Sequence, residues 1–199
     1  MSSIANSVLR RIRAHGRGWV FTPRDFVTLG SRRAVDRALA RLTQDSIIRR
    51  LTQGIYDYPR VHKKLGTLAP NPDNVAAALA AKTGGRAQVS GARAANLLGL
   101  TDQVPAQLVY LTDGPARRVK IGAQTIQLKP ARPSRFPGGG TPAGLALQAI
   151  RAVGPNANKD LVVRQLSRAL SVRDRAQLFK LIRHAPAWSH EIIRQLKGT

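Results

Sequence analysis

The sequence predicts an α+β chain: helices closed by a β-hairpin over residues 1–60, then a mixed α/β part that ends in helices. Three observations carry this. Apolar residues recur at helical spacing in the first part. Two short apolar runs there flank Thr52, Gln53 and Gly54, the length and glycine content of a tight hairpin. Further on, the Pro- and Gly-rich stretch "PARPSRFPGGGTP" separates three strand-like runs from four helical ones.

Taken in order, Ile4, Val8, Leu9 and Ile12 fall on one arc, so residues 3–13 are a helix stopped by Gly16 and Gly18. "WVF", Trp19 to Phe21, is a short strand. Thr22 then offers an N-cap, with Pro23 at the first helical position and Asp25 three residues past the cap, for a second helix running to Leu29. Gly30 makes a turn, and Ser31 caps a third helix that extends to Gln44. Residues 47–51 and 55–58 are the hairpin strands, and Pro59 ends the unit. Helix, short strand, helix, turn, helix and hairpin is the order of a winged helix-turn-helix.

Residues 61–72 mix basic residues with Gly and Pro and read as a linker. The second domain spans 73–199, with an α/β part at 73–136 and a helical end at 141–199. Its expected elements are an Ala-rich helix at 73–82, a strand at 87–89, and a helix capped by Ser90 and closed by Gly99. Strands at 107–111, 117–121 and 124–128 follow, turned at Asp113-Gly114 and Gly122-Ala123. Helices at 141–152, 160–170, 171–182 and 186–196 complete the chain.

Charge narrows the function. The 33 Lys and Arg against 10 Asp and Glu leave a net +23, and self-repulsion of that size points to a polyanionic partner. The excess is spread evenly, +8 over residues 1–60, +8 over 61–140 and +7 over 141–199, so no tail accounts for it. No run of 18 apolar residues lacks a charge, and Arg10, Arg11 and Arg13 interrupt the apolar centre a secretory signal needs. A cytoplasmic protein without a membrane partner is the expectation. The absence of cysteine excludes disulfides and Cys-ligated metal sites.

The third helix concentrates the chemistry. At 100° per residue, Ala34, Val35, Ala38, Leu39 and Leu42 share one face, and Arg33, Arg37, Ala40 and Gln44 the opposite one. Arg32 and Arg41 flank it, with Asp36 one turn from Arg32. Arg33 and Arg37 are a like-charge i,i+4 pair costing about 0.2 to 0.5 kcal/mol, a penalty that a polyanion removes. Arg donates two hydrogen bonds to guanine O6 and N7, and Gln does the analogous work for adenine. Arg24 near the second helix and Arg49, Arg50 and Gln53 in the hairpin are placed for backbone phosphates. Strand alternation sends Arg49 and Arg50 to opposite faces, so one of the two reaches DNA. The DNA-contacting set is therefore Arg24, Ser31, Arg32, Arg33, Arg37, Arg41, Gln44, Arg49, Arg50 and Gln53. A charged helix face is more often simply solvated; its place behind a capped helix-turn-helix is what favours the functional reading.

Little in the sequence supports catalysis. One glutamate, Glu191, and nine scattered aspartates do not make a two-metal site. "HAPAWSHE" brings His184, His190 and Glu191 together without the HExxH spacing, and no cofactor or metal is expected. The run Gly138 to Gly140 lacks the Lys-Ser/Thr of a phosphate-binding loop and reads as flexible linker. Trp19 and Trp188 are expected to fill cores rather than stack on bases, and for Tyr56 and Tyr58 in the wing cross-strand packing is favoured over a nucleic-acid contact.

Two blocks resemble a known family. "GWVFTPRDFVTLGSRRAVDRALARLTQDSIIRRLTQGIYDYP" is similar to the N-terminal winged-helix segment of AbiEi-like antitoxins of type IV toxin-antitoxin operons. "VSGARAANLLGLTDQVPAQLVYLTDGPARRV", Val89 to Val119, continues the likeness, which covers residues 17–130. The resemblance implies an autorepressor that binds promoter repeats in double-stranded DNA, with Ser31 to Gln44 as recognition helix. It also implies a second domain that counters a nucleotidyltransferase-like toxin, with or without a direct complex. Copies that pair on DNA fit the same picture. Basic charge throughout keeps open a structured-RNA binder, tRNA- or ribosome-associated, and makes Arg93, Arg117, Arg118 and Lys120 secondary DNA contacts.

Overall fold

The computed structural model describes residues 3–103, 107–132 and 137–198. It is a mixed α+β structure of two compact units, Met1–Thr83 with Val119–Ile126, and Gly84–Arg118 with Gln127–Thr199.

The first unit opens with α1 (Ser3–His15), β1 (Val20–Phe21), a 3-10 segment (Pro23–Leu29) and α2 (Arg32–Gln44). Strands β2 (Arg49–Thr52) and β3 (Ile55–Asp57) follow. Ala5, Val8, Leu9 and Ile12 of α1 meet Val35, Ala38, Leu39 and Leu42 of α2 in one core with Phe21, Phe26 and Ile48. Phe21 and Phe26 stand edge to face, ring centroids 5.4 Å apart. Trp19 and the two hairpin tyrosines pack against the same core.

The expected second helix winds as 3-10, and its sequence explains why. Pro23, Phe26 and Leu29 lie three apart, and a repeat of three residues per turn puts all of them on the inner side. The Thr22 N–H donates to Asp25 Oδ2 at 2.7 Å, tightening the first turn. The first hairpin strand also starts two residues later than its apolar run. The N–H groups of Ile47 and Ile48 both donate to the Leu42 carbonyl at the end of α2, so they cap a helix before the ladder begins.

β1, β3 and β2 form an antiparallel sheet in that order, with Val20 opposite Asp57 and Arg50 opposite Tyr56. At the end of the central strand the Asp57 carboxylate is buried and takes a bidentate pair of bonds from Arg49, Nε to Oδ1 at 3.0 Å and Nη2 to Oδ2 at 2.7 Å. The same Arg49 Nη2 reaches the Leu68 carbonyl at 3.1 Å.

Within the stretch read as a linker, β4 (Val61–His62) and β5 (Gly66–Thr67) pair as a small antiparallel ribbon. The Leu68 N–H closes its base on the Arg60 carbonyl at 2.9 Å. Helix α3 (Pro72–Ala81), capped by the Asn71 side chain, belongs to the same unit.

The second unit holds β6 (Ala87–Val89), α4 (Gly91–Leu97) and β7 (Leu108–Thr112). With β8 (Arg117–Ile121) and β9 (Gln124–Pro130) the sheet order is β6-β7-β9-β8. Four helices end the chain: α5 (Pro142–Val153), α6 (Lys159–Ala169), α7 (Val172–Lys180) and α8 (His190–Gly198). Among the described residues, no helix is long and apolar enough to cross a membrane.

α5 is the hub of this unit, with Ala143, Gly144, Ala146, Leu147, Gln148, Ala149 and Ile150 all buried. Its Leu147 and Ile150 join Leu166, Leu178, Ile192, Ile193 and Leu196 of α6, α7 and α8 in one core. Small residues let α4 lie against it: a Cβ at Gly91 would stand 2.9 Å from the Ala152 methyl. The run Gly138 to Gly140 is packed at its first two residues and exposed at Gly140. Gly139 is buried, and the Gly138 carbonyl accepts from the Thr141 hydroxyl at 2.7 Å while lying against the Cα of Gly144.

Gly144→Ala should lower stability by more than about 2 kcal/mol in a denaturant titration, because its methyl meets the Gly138 backbone and no flexible side chain can yield. A second expectation concerns acid. Bonds from Arg86, its backbone N–H first at 2.6 Å, hold the Asp113 carboxyl below the usual carboxylate range. A lowered folded value gives stability that is present above about pH 4 and disappears as pH falls through that value. Asp113→Asn should flatten the acid limb of the stability curve relative to wild type.

Candidate nucleic-acid interface

α2 presents its arginines because its apolar face is fully spent. Val35, Leu39 and Leu42 are almost completely buried, which rotates Arg32, Arg33, Arg37, Ala40, Arg41 and Gln44 outward. Ser31 fixes where the helix starts, its hydroxyl oxygen accepting from the Ala34 N–H at 3.4 Å. As a candidate contact it therefore carries a capping duty as well.

The exposed cations divide by their neighbours. Arg32 pairs with Asp36 at 2.8 Å and Arg41 with Asp45 at 4.0 Å, both one helical turn apart and both exposed. Such pairs contribute about 0.3 to 0.5 kcal/mol and are readily exchanged for another anion. Arg33, Arg37 and Arg50 have no acidic partner among the described residues. Arg37 and Arg41 also border a groove of about 370 Å³ between α1 and α2, floored by Ala5, Ala34 and Ala38.

Arg49 stands apart from the rest of the sequence-derived set. Its guanidinium is occupied by the buried Asp57 carboxylate and the Leu68 carbonyl, and the hydrogen bond to Asp57 raises its pKa further above its ordinary value. Arg50, on the opposite strand face, is exposed. Gln53 is exposed at the hairpin tip, and Arg24 is exposed with one long hydrogen bond, 3.5 Å, to the Ala81 carbonyl.

Tertiary structure adds a cation that pattern reading did not find. Lys82, at the end of α3, donates from Nζ to the Gln53 carbonyl at 2.7 Å, so a positive charge sits against the turn between β2 and β3. Twenty-nine positions separate the two residues, and no local periodicity records that meeting. Of the secondary set, Arg117, Arg118 and Lys120 are exposed on β8, whereas Arg93 is half-buried on α4.

The acid and imidazole groups near the C-terminus are engaged separately. Glu191 accepts from Lys159 at 2.9 Å, which lowers its carboxyl pKa, while His190 Nε2 lies 3.2 Å from the Ala185 carbonyl and His184 Nε2 3.2 Å from Arg183 Nε. Among the described residues no group of three His, Cys, Asp or Glu is placed to hold a metal ion.

A protein-family model described as a family of unknown function (DUF6088) matches residues 7–178. No curated protein matches the chain. Among solved structures, the crystal structure of RV2827C protein from Mycobacterium tuberculosis is similar at 17% identity, with a TM-score of 0.41. That alignment covers 98% of this chain and 82% of the other.

The two neighbouring hairpin arginines should behave oppositely. Arg49→Ala strands a buried carboxylate and should cost about 1 to 3 kcal/mol, less than a fully buried pair because the guanidinium is one-third exposed. Arg50→Ala should leave stability within about 0.5 kcal/mol of wild type. Chemical denaturation of the two variants measures both.

Proposed function

The chain belongs to the DUF6088 family, whose function is unknown, and we propose that it is a sequence-specific DNA-binding transcriptional regulator. In this reading residues 1–60 act as a winged helix-turn-helix, α2 is the recognition helix and the β2–β3 hairpin is the wing. One observation carries it: the outward face of α2 holds Arg33, Arg37 and Gln44 around the small Ala40, with the two arginines free of acidic partners among the described residues. A helix with that face can approach base edges closely, and its guanidinium forks match guanine O6 and N7. Arg50 and Gln53, joined by Lys82, supply the hairpin's donors for phosphate.

The biological role proposed with it is autorepression within an AbiEi-like toxin-antitoxin operon in the cytoplasm, and its support is the resemblance carried by residues 17–130. A structured-RNA binder is the second reading, favoured by the exposed Arg117, Arg118 and Lys120 well outside α2 in sequence. Tighter retention of folded RNA than of upstream DNA in a competition assay decides for RNA.

The test of the leading reading is the Arg33→Ala/Arg37→Ala double variant against the DNA upstream of the protein's own gene. Removing a guanidinium that bonds a base edge should cost about 1 to 3 kcal/mol of binding per arginine and erode discrimination from shuffled duplex. Both side chains are exposed, so stability should hold. Unchanged affinity and discrimination would remove α2 from the mechanism.

A further inference from the structure

The ribbon of β4 and β5 is an odd piece of surface. Residues 61–67 are all exposed, yet Val61 and Leu65, at 58% and 74% exposure, are two of the six large apolar side chains left uncovered among the described residues. Between them stand Lys63 and Lys64, with Arg60 at the base, and no acidic residue occurs between Asp57 and Asp73.

The tip is built rather than loose. His62 Nδ1 accepts from the backbone N–H groups of both Lys64 and Leu65, at 3.2 and 3.3 Å, and Gly66 closes the three-residue turn at φ 68°, where a side chain would be strained. The base is held as well, by the Leu68 N–H on the Arg60 carbonyl and by Arg49 on the Leu68 carbonyl. Ordering costs conformational entropy. Here it fixes the backbone that carries two exposed lysines and an exposed leucine.

We propose that this ribbon is a second binding element for duplex DNA, Lys63 and Lys64 neutralising phosphates and Leu65 burying its side chain against the groove. The proposal rests on the reading of the chain as a duplex-binding protein. Charge selects the partner: a cationic tip with no acidic partner among the described residues suits a polyanion, and an apolar side chain beside it is the pairing by which groove-binding ribbons and arms bury additional surface. A second protein would have to bring an acidic, apolar concavity to meet it. An anionic bilayer satisfies the same charges and is tested against.

The experiment uses the full chain, a short duplex from the DNA upstream of its own gene, the same duplex shuffled, and phosphatidylglycerol vesicles. With the duplexes, Lys63→Ala/Lys64→Ala should reduce the slope of log affinity against log salt by about 1.8, two phosphates' worth, while Leu65→Ser should keep the slope and weaken binding about tenfold. All three positions are exposed, so the variants should fold as wild type does. An unchanged slope in the dilysine variant, with Arg33→Ala/Arg37→Ala still impaired, overturns the role of the ribbon and leaves the α2 reading standing. Unchanged affinity in Leu65→Ser removes the leucine from it. Wild-type chain that ignores both duplexes overturns both readings, and vesicle binding abolished with the two lysines would then assign the ribbon to a lipid surface.

Discussion

A buried carboxylate organises the N-terminal unit. Asp57 is 1% exposed, and a charge so far from water persists only where its hydrogen-bonding capacity is met. Arg49 meets it with two parallel bonds, which fixes the relative register of β2 and β3. The spare guanidinium hydrogen of Arg49 then grips the Leu68 carbonyl. One ion pair thus ties the sheet, the base of the β4–β5 ribbon and the approach to α3. An apolar pair of similar volume could stabilise the sheet as well, but it could not hold a carbonyl nineteen residues away.

Around that anchor the unit separates apolar from cationic surface with little compromise. The side chains that close the core of α1 and α2 repeat at three and four positions, so every turn of α2 that buries a Val, Leu or Ala turns an Arg or Gln outward. Arg33 and Arg37 repel each other across one turn, and no acidic partner among the described residues relieves them. Stability alone gives no reason to keep such a face. A partner that carries negative charge, as the proposed function requires, would supply one. Arg11, by contrast, is turned to structural use, its guanidinium donating to the Asp25 carbonyl and the Thr28 hydroxyl to hold the 3-10 segment on α1.

The second unit rests on a different device, the near absence of side chains where helices meet. Gly91, Ala94 and Ala95 of α4 face Ala149 and Ala152 of α5, and Gly144 admits the Gly138 carbonyl. Close backbone approach replaces large interdigitating groups there, and it leaves little freedom to substitute. Larger side chains, Leu147, Ile150, Leu166 and Ile193, gather on the far side of α5 with α6, α7 and α8. A polar group is stranded in the same region: the Gln88 amide is buried without a hydrogen-bond partner among the described residues.

Residue order alone determined the helices whose burial is periodic. The arcs of α1 and α2, the cap at Ser31, and the glycine-marked turns are local, because helix period and capping depend on neighbours within four positions. It also determined that a large positive charge is spread along the whole chain. Tertiary structure decided what local rules leave degenerate. Alternation places Arg49 and Arg50 on opposite faces, but only the buried Asp57 selects which one is consumed. A Pro- and Lys-bearing stretch reads as linker until Arg49 and Arg60 clamp it into a ribbon, and Gly138 reads as flexible linker until Thr141 and Gly144 meet it. Lys82 reaches the hairpin tip through the placement of α3. In each case the deciding partner lies far away in sequence, and a meeting of distant residues leaves no period for the chain to display.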